Sequence, residues 1–119
     1  KNLKKISKIV HPLVRKKLNN FLKKNKKRKI VVLDIPLFIE NKLRKKNDIL
    51  VYIEAKKNDI QKKLKERKNY NRQIFNNLKL LQLPLAKKKK MSDFKLINNF
   101  NSNKVKKDIM KIKKKILNK

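Results

Sequence analysis

Apolar residues in the first part of the chain recur with the spacing of an amphipathic helix. The spacing holds over residues 3–10 and resumes after Pro12. Proline is best tolerated in the first turn of a helix, because it has no backbone N–H to donate. We therefore predict a break near His11 and a second helix from Pro12 to about Lys24, followed by a basic connector.

Three short apolar runs have the length of β-strands rather than of helices. The runs at residues 30–33 and 49–53 are continuous and rich in β-branched residues. This composition is typical of strands that are buried on both faces of a parallel sheet. The run at residues 94–97 predicts a third, shorter strand.

Helical spacing returns between and after these runs. Pro36 fits the first turn of a helix that carries Leu37 and Phe38, and Ser102 or Asn103 could cap a final helix. In all, the pattern predicts five helices after the first strand. They begin at Pro36, at about Lys57, near residue 74, at Leu85 and after residue 103. The second runs to about Lys68, the third includes residues 74–81, and the fourth ends at Ser92.

The alternation of helices and strands predicts an α/β fold with a parallel sheet covered by helices. Three strands are few for a sheet that is covered on both faces, so the pattern looks like the second half of a larger α/β domain. The length of 119 residues suffices for one small domain and not for two independent ones.

The chain contains no glycine, and this excludes whole classes of phosphate site. A phosphate-binding loop and the dinucleotide-binding fingerprint both need glycine, because the backbone must approach the phosphates closely with positive φ. Cysteine is also absent, which excludes disulfide and thiolate chemistry. No apolar run approaches the roughly 18–20 residues of a membrane span. We expect a cytoplasmic protein without membrane contact.

The formal charge of +31, from 39 basic against 8 acidic residues, has two explanations. Clustered lysines favour nucleic-acid binding through counterion release. Abundant Lys, Asn and Ile with scarce Gly, Ala, Arg and Pro are also what AT-rich codons would produce. We favour codon usage as the explanation of the charge, because the basic residues are spread along the chain. In addition, no zinc-finger spacing, GXXG loop or aromatic stacking array accompanies them. A nucleic-acid binder stays open as the alternative, although no specific nucleic acid is expected.

Asp34 and His11 have side chains of the kinds that can carry out acid–base or metal chemistry. Asp34 follows the run at 30–33, which would put its carboxylate at the carboxyl edge of the sheet, where open α/β sheets bind ligands. It could place a substrate or a metal-bound water, or it could only cap the next helix. His11 is the only histidine and has no partner motif, so we interpret the His11-Pro12 pair as a helix break rather than a catalytic base.

Basic residues after the second strand are candidates for phosphate binding. Arg67 closes a lysine-rich helix, and arginine can bind phosphate through two parallel hydrogen bonds. An ordinary surface charge explains Arg67 as well. The run Lys87–Lys90 could form a basic lid over phosphates or a solvated helix face, and the spacing does not separate the two.

The order of the motifs resembles the dephospho-coenzyme A kinase family over essentially all 119 residues. Three segments carry the first part of the resemblance: His11–Val14, Val31–Glu40 and Asp48–Ile53. The second part is a series of single residues at the family's spacing: Gln61, Arg67, Arg72, Gln82, Lys88, Asp93 and Asn99.

The resemblance implies a P-loop kinase fold and ATP-dependent phosphorylation of the ribose 3′-hydroxyl of dephospho-coenzyme A, with ATP as substrate and Mg²⁺ as its partner. Residues 1–119 would be the C-terminal part of a single P-loop kinase domain, with the acceptor helices at about 1–28 and a lid at about 66–93. The implied roles are the lid for Arg67, Gln82 and Lys88, the adenine side for Asn99, and the acceptor side for His11, Pro12, Asp34, Pro36 and Leu37.

Two departures from the family pattern affect the adenine contact and the lid. The family usually has a glycine shortly after the position of Asn99, where this chain has Phe100-Asn101-Ser102. The lid after Gln82 often carries an arginine that is absent here. The chain also does not begin with Met, so we expect a fragment that lacks the phosphate loop and is inactive by itself; the oligomeric state stays unknown.

Overall fold

The computed structural model describes residues 2–118, and for residues 2–11 it describes the backbone alone. The chain divides into two compact units, Lys1–Lys45 and Lys46–Lys119. None of the helices within the described residues combines the length and apolar character that a membrane span requires.

The first unit begins with one continuous helix, α1, which spans Asn2–Lys24 and contains Pro12. The predicted break near His11 is therefore wrong. Proline removes one backbone hydrogen bond and costs about 3 kcal/mol inside a helix. The residues after Pro12 are mostly leucine, lysine and arginine, which are strong helix formers, and the helix continues through them. Leu18 is buried on this helix.

Residues 30–35, which include the predicted strand at 30–33, have no regular secondary structure. A strand needs a hydrogen-bonded neighbour, and the described residues contain only two strands, which pair with each other. Without a neighbour the apolar run is only partly covered: Val32 is 80% exposed, and the other three residues of the run are half-buried. The predicted strand is wrong for this structure, although its composition remains that of a buried strand.

Residues 36–42 form a series of turns instead of the helix predicted from Pro36. Leu37 and Lys42 have φ of 55°, which lies in the left-handed region and interrupts a right-handed helix at its first turn. The Leu43 N–H donates to the Phe38 carbonyl at 3.1 Å, and Leu43 is buried. The Arg15 guanidinium, on α1, donates to the Asn41 carbonyl at 2.9 Å and so holds this turn segment to the helix.

The second unit follows the predicted α/β order. Strand β1 spans Val51–Glu54 and strand β2 spans Phe94–Ile97. The helices are α2 at Lys57–Lys65, α3 at Arg72–Leu80, α4 at Leu85–Met91 and α5 at Ser102–Leu117. The prediction is confirmed for each of these elements. Two of the predicted ends differ slightly from the structure. Helix α2 stops before Lys68. The side chain that caps α5 belongs to Asn101 and not to Ser102 or Asn103.

Strands β1 and β2 form a parallel pair in which Val51 lies opposite Phe94 and Glu54 lies opposite Ile97. Parallel strands need a long crossover, and α2, α3 and α4 provide it. Helix α5 packs against β2. Leu96 is the most buried residue of this unit, at 5% exposure, and so forms the centre of its core.

Candidate functional site

The carboxyl ends of β1 and β2 lie side by side. The Asn98 N–H, just after β2, donates to the carbonyl of Glu54, the last residue of β1, at 2.8 Å. Ligands of open α/β sheets bind outside the carboxyl ends of the strands. This edge is therefore the candidate site of the second unit.

The loop from β2 to α5 is built from three asparagines that each accept a nearby backbone N–H. Asn98 Oδ1 accepts from the Phe100 N–H at 2.9 Å, and Asn99 Oδ1 accepts from the Asn101 N–H at 3.0 Å. Asn101 Oδ1 accepts from the Lys104 N–H at 3.3 Å and caps α5. Asparagine favours such turns because its short amide mimics a backbone turn. The loop shape is thus set by its own side chains.

Asn99, the predicted adenine-side residue, lies exposed in this loop beside the strand ends. Its amide oxygen already accepts the Asn101 N–H, so the amide nitrogen is the group left to donate to a ligand. Phe100 follows with φ of 61°, in the left-handed region. The Lys63 ammonium, from α2, lies 5.5 Å from the centre of the Phe100 ring. The contact with adenine stays a prediction.

An ion pair at the same edge joins Glu54 to Lys89 of α4. The Lys89 ammonium lies 3.1 Å from both carboxylate oxygens of Glu54. The sequence does not predict this pair, because Lys89 is one of four consecutive lysines that no pattern distinguishes. A signal did exist: Glu54 is a carboxylate at the end of an apolar strand, which is the argument that singled out Asp34. The pair attaches α4, part of the predicted lid, to the sheet edge.

We expect the coupling between Glu54 and Lys89 to be small and salt-sensitive, because both side chains are more than one-third exposed. A double-mutant cycle with Glu54→Gln and Lys89→Met should give a coupling free energy of about 0.5 kcal/mol in urea unfolding. The coupling should shrink in 1 M salt. A cycle with Lys90→Met in place of Lys89→Met is the control, and an equal coupling for Lys90 would contradict the assigned pair.

The predicted lid residues lie on three different elements. Arg67 is exposed in the turn after α2, and its backbone N–H donates to the Leu64 carbonyl at 3.1 Å. Gln82 is exposed in the turn between α3 and α4. Lys88 is half-buried on α4, next to Lys89. Their role at a nucleotide stays a prediction.

Asp93 lies at the opposite, amino end of the sheet. Its carboxylate accepts the Leu50 N–H at 2.8 Å, while the N–H groups of Asp93 and Phe94 donate to the Leu50 carbonyl at 2.9 and 3.1 Å. Asp93 therefore joins the starts of the two strands. This contact is a structural reason for an aspartate at a position that the family resemblance includes.

We expect Asp93→Ala to lower the free energy of unfolding by about 1 kcal/mol, because the Leu50 N–H loses its charged acceptor. Asp93→Asn should cost less, since its amide oxygen still accepts. Urea unfolding followed by circular dichroism measures both variants. Equal losses for the two would mean that the hydrogen bond contributes little.

The predicted acceptor-side residues lie in the first unit. Pro12 is exposed on α1, and the side chain of His11 lies outside the described part. Asp34 is exposed in the segment without regular structure, so its predicted position at the end of a strand is wrong here. Pro36 is exposed and Leu37 is half-buried in the turns. Their contact with an acceptor stays a prediction.

Among residues 12–118, whose side chains the structure describes, no three His, Cys, Asp or Glu residues come together as a metal-binding group. These residues therefore do not fit a cation site built by protein ligands alone. Mg²⁺ in kinases is bound largely by substrate phosphates and water, with few carboxylates. A nucleotide-bound Mg²⁺ thus needs no such group, and no step below depends on a metal ligand of this chain.

A parallel strand pair joined by a helical crossover places the second unit in the class of α/β proteins, whose ligands bind outside the carboxyl ends of the strands. Within that class, the dephospho-CoA kinase family model matches residues 1–104. The chain belongs to the dephospho-CoA kinase family.

Curated relatives agree with this family. The chain is 37% identical over 95 residues to a dephospho-CoA kinase of Wolbachia pipientis wMel, covering 78% of this chain and 48% of that protein. It is 33% identical over 94 residues to one of Bartonella quintana (strain Toulouse), covering 77% of this chain and 48% of that protein. The chain spans about half the length of the curated relatives it matches. No solved structure matches significantly.

Proposed function

We propose that this chain is the acceptor, lid and adenine-side portion of an enzyme that phosphorylates the ribose 3′-hydroxyl of dephospho-coenzyme A with ATP. The observation that carries the proposal is membership of the family over residues 1–104. The strand ends of the second unit support it, since they bring Asn99 to the sheet edge where nucleotides bind.

The chemistry asked of this chain is positioning and charge stabilisation. In phosphoryl transfer the hydroxyl oxygen gives its proton to a general base and attacks the γ-phosphorus, the bond to the β–γ bridging oxygen breaks, and ADP leaves with that oxygen. Negative charge spreads over the transferred group, and basic side chains that close on it lower the barrier. Arg67 and Lys88 have this role in the proposal. Gln82, the third lid residue, lies in the turn between α3 and α4. Mg²⁺ bound to the nucleotide would add positive charge at the phosphates.

The chain does not supply the phosphate-binding loop. With no glycine in 119 residues, no segment can form the close backbone cradle that such a loop requires. We infer that the loop comes from polypeptide outside this sequence. The coding sequence upstream of Lys1 tests this: an in-frame glycine-rich loop that ends in Lys-Ser or Lys-Thr supports it, and a start codon directly before Lys1 contradicts it.

The activity is tested by supplying ATP, Mg²⁺ and dephospho-coenzyme A to the protein encoded by the complete reading frame. Chromatography and mass spectrometry should detect coenzyme A and ADP in equal amounts. The 3′-deoxy analogue of dephospho-coenzyme A, which lacks the accepting hydroxyl, is the control acceptor and should give no product. ADP formation without a phosphorylated acceptor would contradict the proposed reaction.

The basic charge supports a second function only if binding to nucleic acid is specific. Duplex DNA titrated across a salt series distinguishes the two cases. Binding that disappears between 50 and 200 mM salt is the behaviour of bulk charge, since each neutralised phosphate releases counterions. Tight binding of one sequence at physiological salt would favour a nucleic-acid function instead.

A further inference from the structure

Helix α5 carries two apolar strips on different faces. The first strip consists of Val105, Ile112 and Ile116, which are half-buried, and α5 packs against β2. The second strip consists of Met110 and Leu117, which are 54% and 46% exposed. Met110 follows Val105 by five residues and therefore lies about 140° around the helix from the first strip. The packing of α5 within its own unit thus explains the first strip and not the second.

Met110 and Leu117 form one exposed strip that lysines border on both sides. The two residues are seven positions apart, which is close to two full turns, and they line one groove together with Lys113 and Lys114. Lys113 and Lys114 follow Met110 by three and four residues, so they lie on either side of it. The aliphatic stem of a lysine can lie along apolar surface while its ammonium group reaches outward to an anion. The exposed strip is therefore apolar along its centre and cationic along its borders.

The whole of α5 is strongly basic. Between Ser102 and Leu117 it contains seven lysines and one acidic residue, Asp108. Most of this helix lies after residue 104, outside the match that assigns the chain to its family. A basic helix with an exposed apolar strip is typical of helices that lie flat in the interface of an anionic bilayer. In that position the strip is covered by lipid and the lysines remain at the headgroups.

Two other anionic partners fit the exposed strip less well than a bilayer does. A nucleic acid is bound through charge and aromatic stacking, but α5 contains no aromatic residue, and a phosphate backbone offers nothing to an exposed apolar pair. A specific protein interface buries about 800 Å² on each partner around an apolar core. Two half-exposed side chains do not supply such a core. An anionic bilayer matches both the charge and the apolar strip, because its phosphates lie directly above hydrocarbon.

We propose that α5 docks this protein on a bilayer surface rich in anionic phospholipid. Met110 and Leu117 enter the boundary between headgroups and acyl chains, while Lys113 and Lys114 bind lipid phosphates on either side. A helix that lies on the surface needs no spanning run, so the absence of such a run, on which we based the expectation of no membrane contact, does not bear on it. The docking does not depend on the proposed kinase reaction, because neither Met110 nor Leu117 has a role in that reaction.

The test measures co-sedimentation of the protein encoded by the complete reading frame with vesicles of phosphatidylcholine, alone or mixed with phosphatidylglycerol. Binding to the mixed vesicles should be at least about tenfold tighter, because lysines near an anionic surface are attracted to it. The double variant Met110→Gln, Leu117→Gln should weaken that binding by at least about tenfold without any change in charge. Ile74→Gln with Leu80→Gln is the matched control on α3, where the two side chains are 55% and 84% exposed. It should leave the Kd within about twofold.

Insertion is measured separately with tryptophan variants. Phospholipid brominated on its acyl chains should quench the indole that Leu117→Trp adds and not the one that Leu80→Trp adds, each measured as the difference from the unaltered protein.

Three results would overturn the proposal. If the variant with glutamine at positions 110 and 117 bound the mixed vesicles as tightly as the unaltered protein, bulk charge alone would explain the binding. Failure of the brominated lipid to quench the indole at position 117 would exclude insertion. Binding to duplex DNA that is lost in Lys113→Gln with Lys114→Gln, without binding to either kind of vesicle, would assign the basic face of α5 to nucleic acid.

Discussion

Leu96→Ala should lower the free energy of unfolding of the second unit by about 2–5 kcal/mol, the range for a buried leucine truncated in a core. Leu96 lies in β2 and is the most buried residue of that unit. Its removal leaves a cavity on the face where α5 packs against the strand. The loss is a large fraction of the stability of a small domain, so the variant should unfold at markedly lower urea concentration.

Ile97→Ala is the matched control for Leu96→Ala. Ile97 is the next residue in the same strand, and its side chain is 55% exposed. Its truncation should cost less than about 1 kcal/mol, because most of the removed surface is already in water. Circular dichroism in a urea series measures both. Similar losses at the two positions would mean that the second unit has no core centred on Leu96.

On the proposed function, Arg67→Lys should lower kcat for coenzyme A formation by about a hundredfold in the protein encoded by the complete reading frame, with little change in the KM for ATP. The substitution keeps the positive charge but removes the guanidinium fork that makes two parallel hydrogen bonds to phosphate. The expected pattern, a loss in kcat, is that of a group that acts on charge developing in the transition state. Steady-state kinetics with dephospho-coenzyme A and ATP give both parameters.

Arg28→Lys serves as the control for Arg67→Lys, because Arg28 is exposed in the connector after α1, outside the predicted lid. Its kcat should match that of the unaltered protein. A loss confined to KM at Arg67 would assign this side chain to ground-state binding of ATP. Equal activity of all three proteins would remove Arg67 from the lid.

The sequence predicts the second unit well, because its elements are short and locally encoded. The apolar run before Glu54 and the run at Phe94–Ile97 are both bounded by polar residues. Helix α3 begins after Asn71, whose side chain accepts the N–H groups of Gln73 and Ile74 at 2.9 and 3.2 Å. Such caps and runs act within a few residues, so pattern alone locates them.

The same reasoning predicts the first unit less well, since its structure depends on contacts between residues that are distant in the chain. The run at residues 30–33 has strand composition and no strand neighbour within the described residues. The helix predicted at Pro36 fails because Leu37 takes a left-handed conformation, which propensity does not foresee. In the second unit, the ion pair between Glu54 and Lys89 was not predicted for a related reason. The two residues are 35 positions apart, and no local pattern connects them.

Three non-glycine residues, Leu37, Lys42 and Phe100, occupy left-handed backbone conformations in a chain with no glycine. Each conformation costs roughly 1–2 kcal/mol with a side chain present and almost nothing with glycine. A sequence without glycine therefore gives up stability at these three positions, which leaves less of it to offset other destabilising substitutions. Lys42→Gly, at an exposed position, should therefore stabilise the first unit and rescue unrelated destabilising substitutions elsewhere in it.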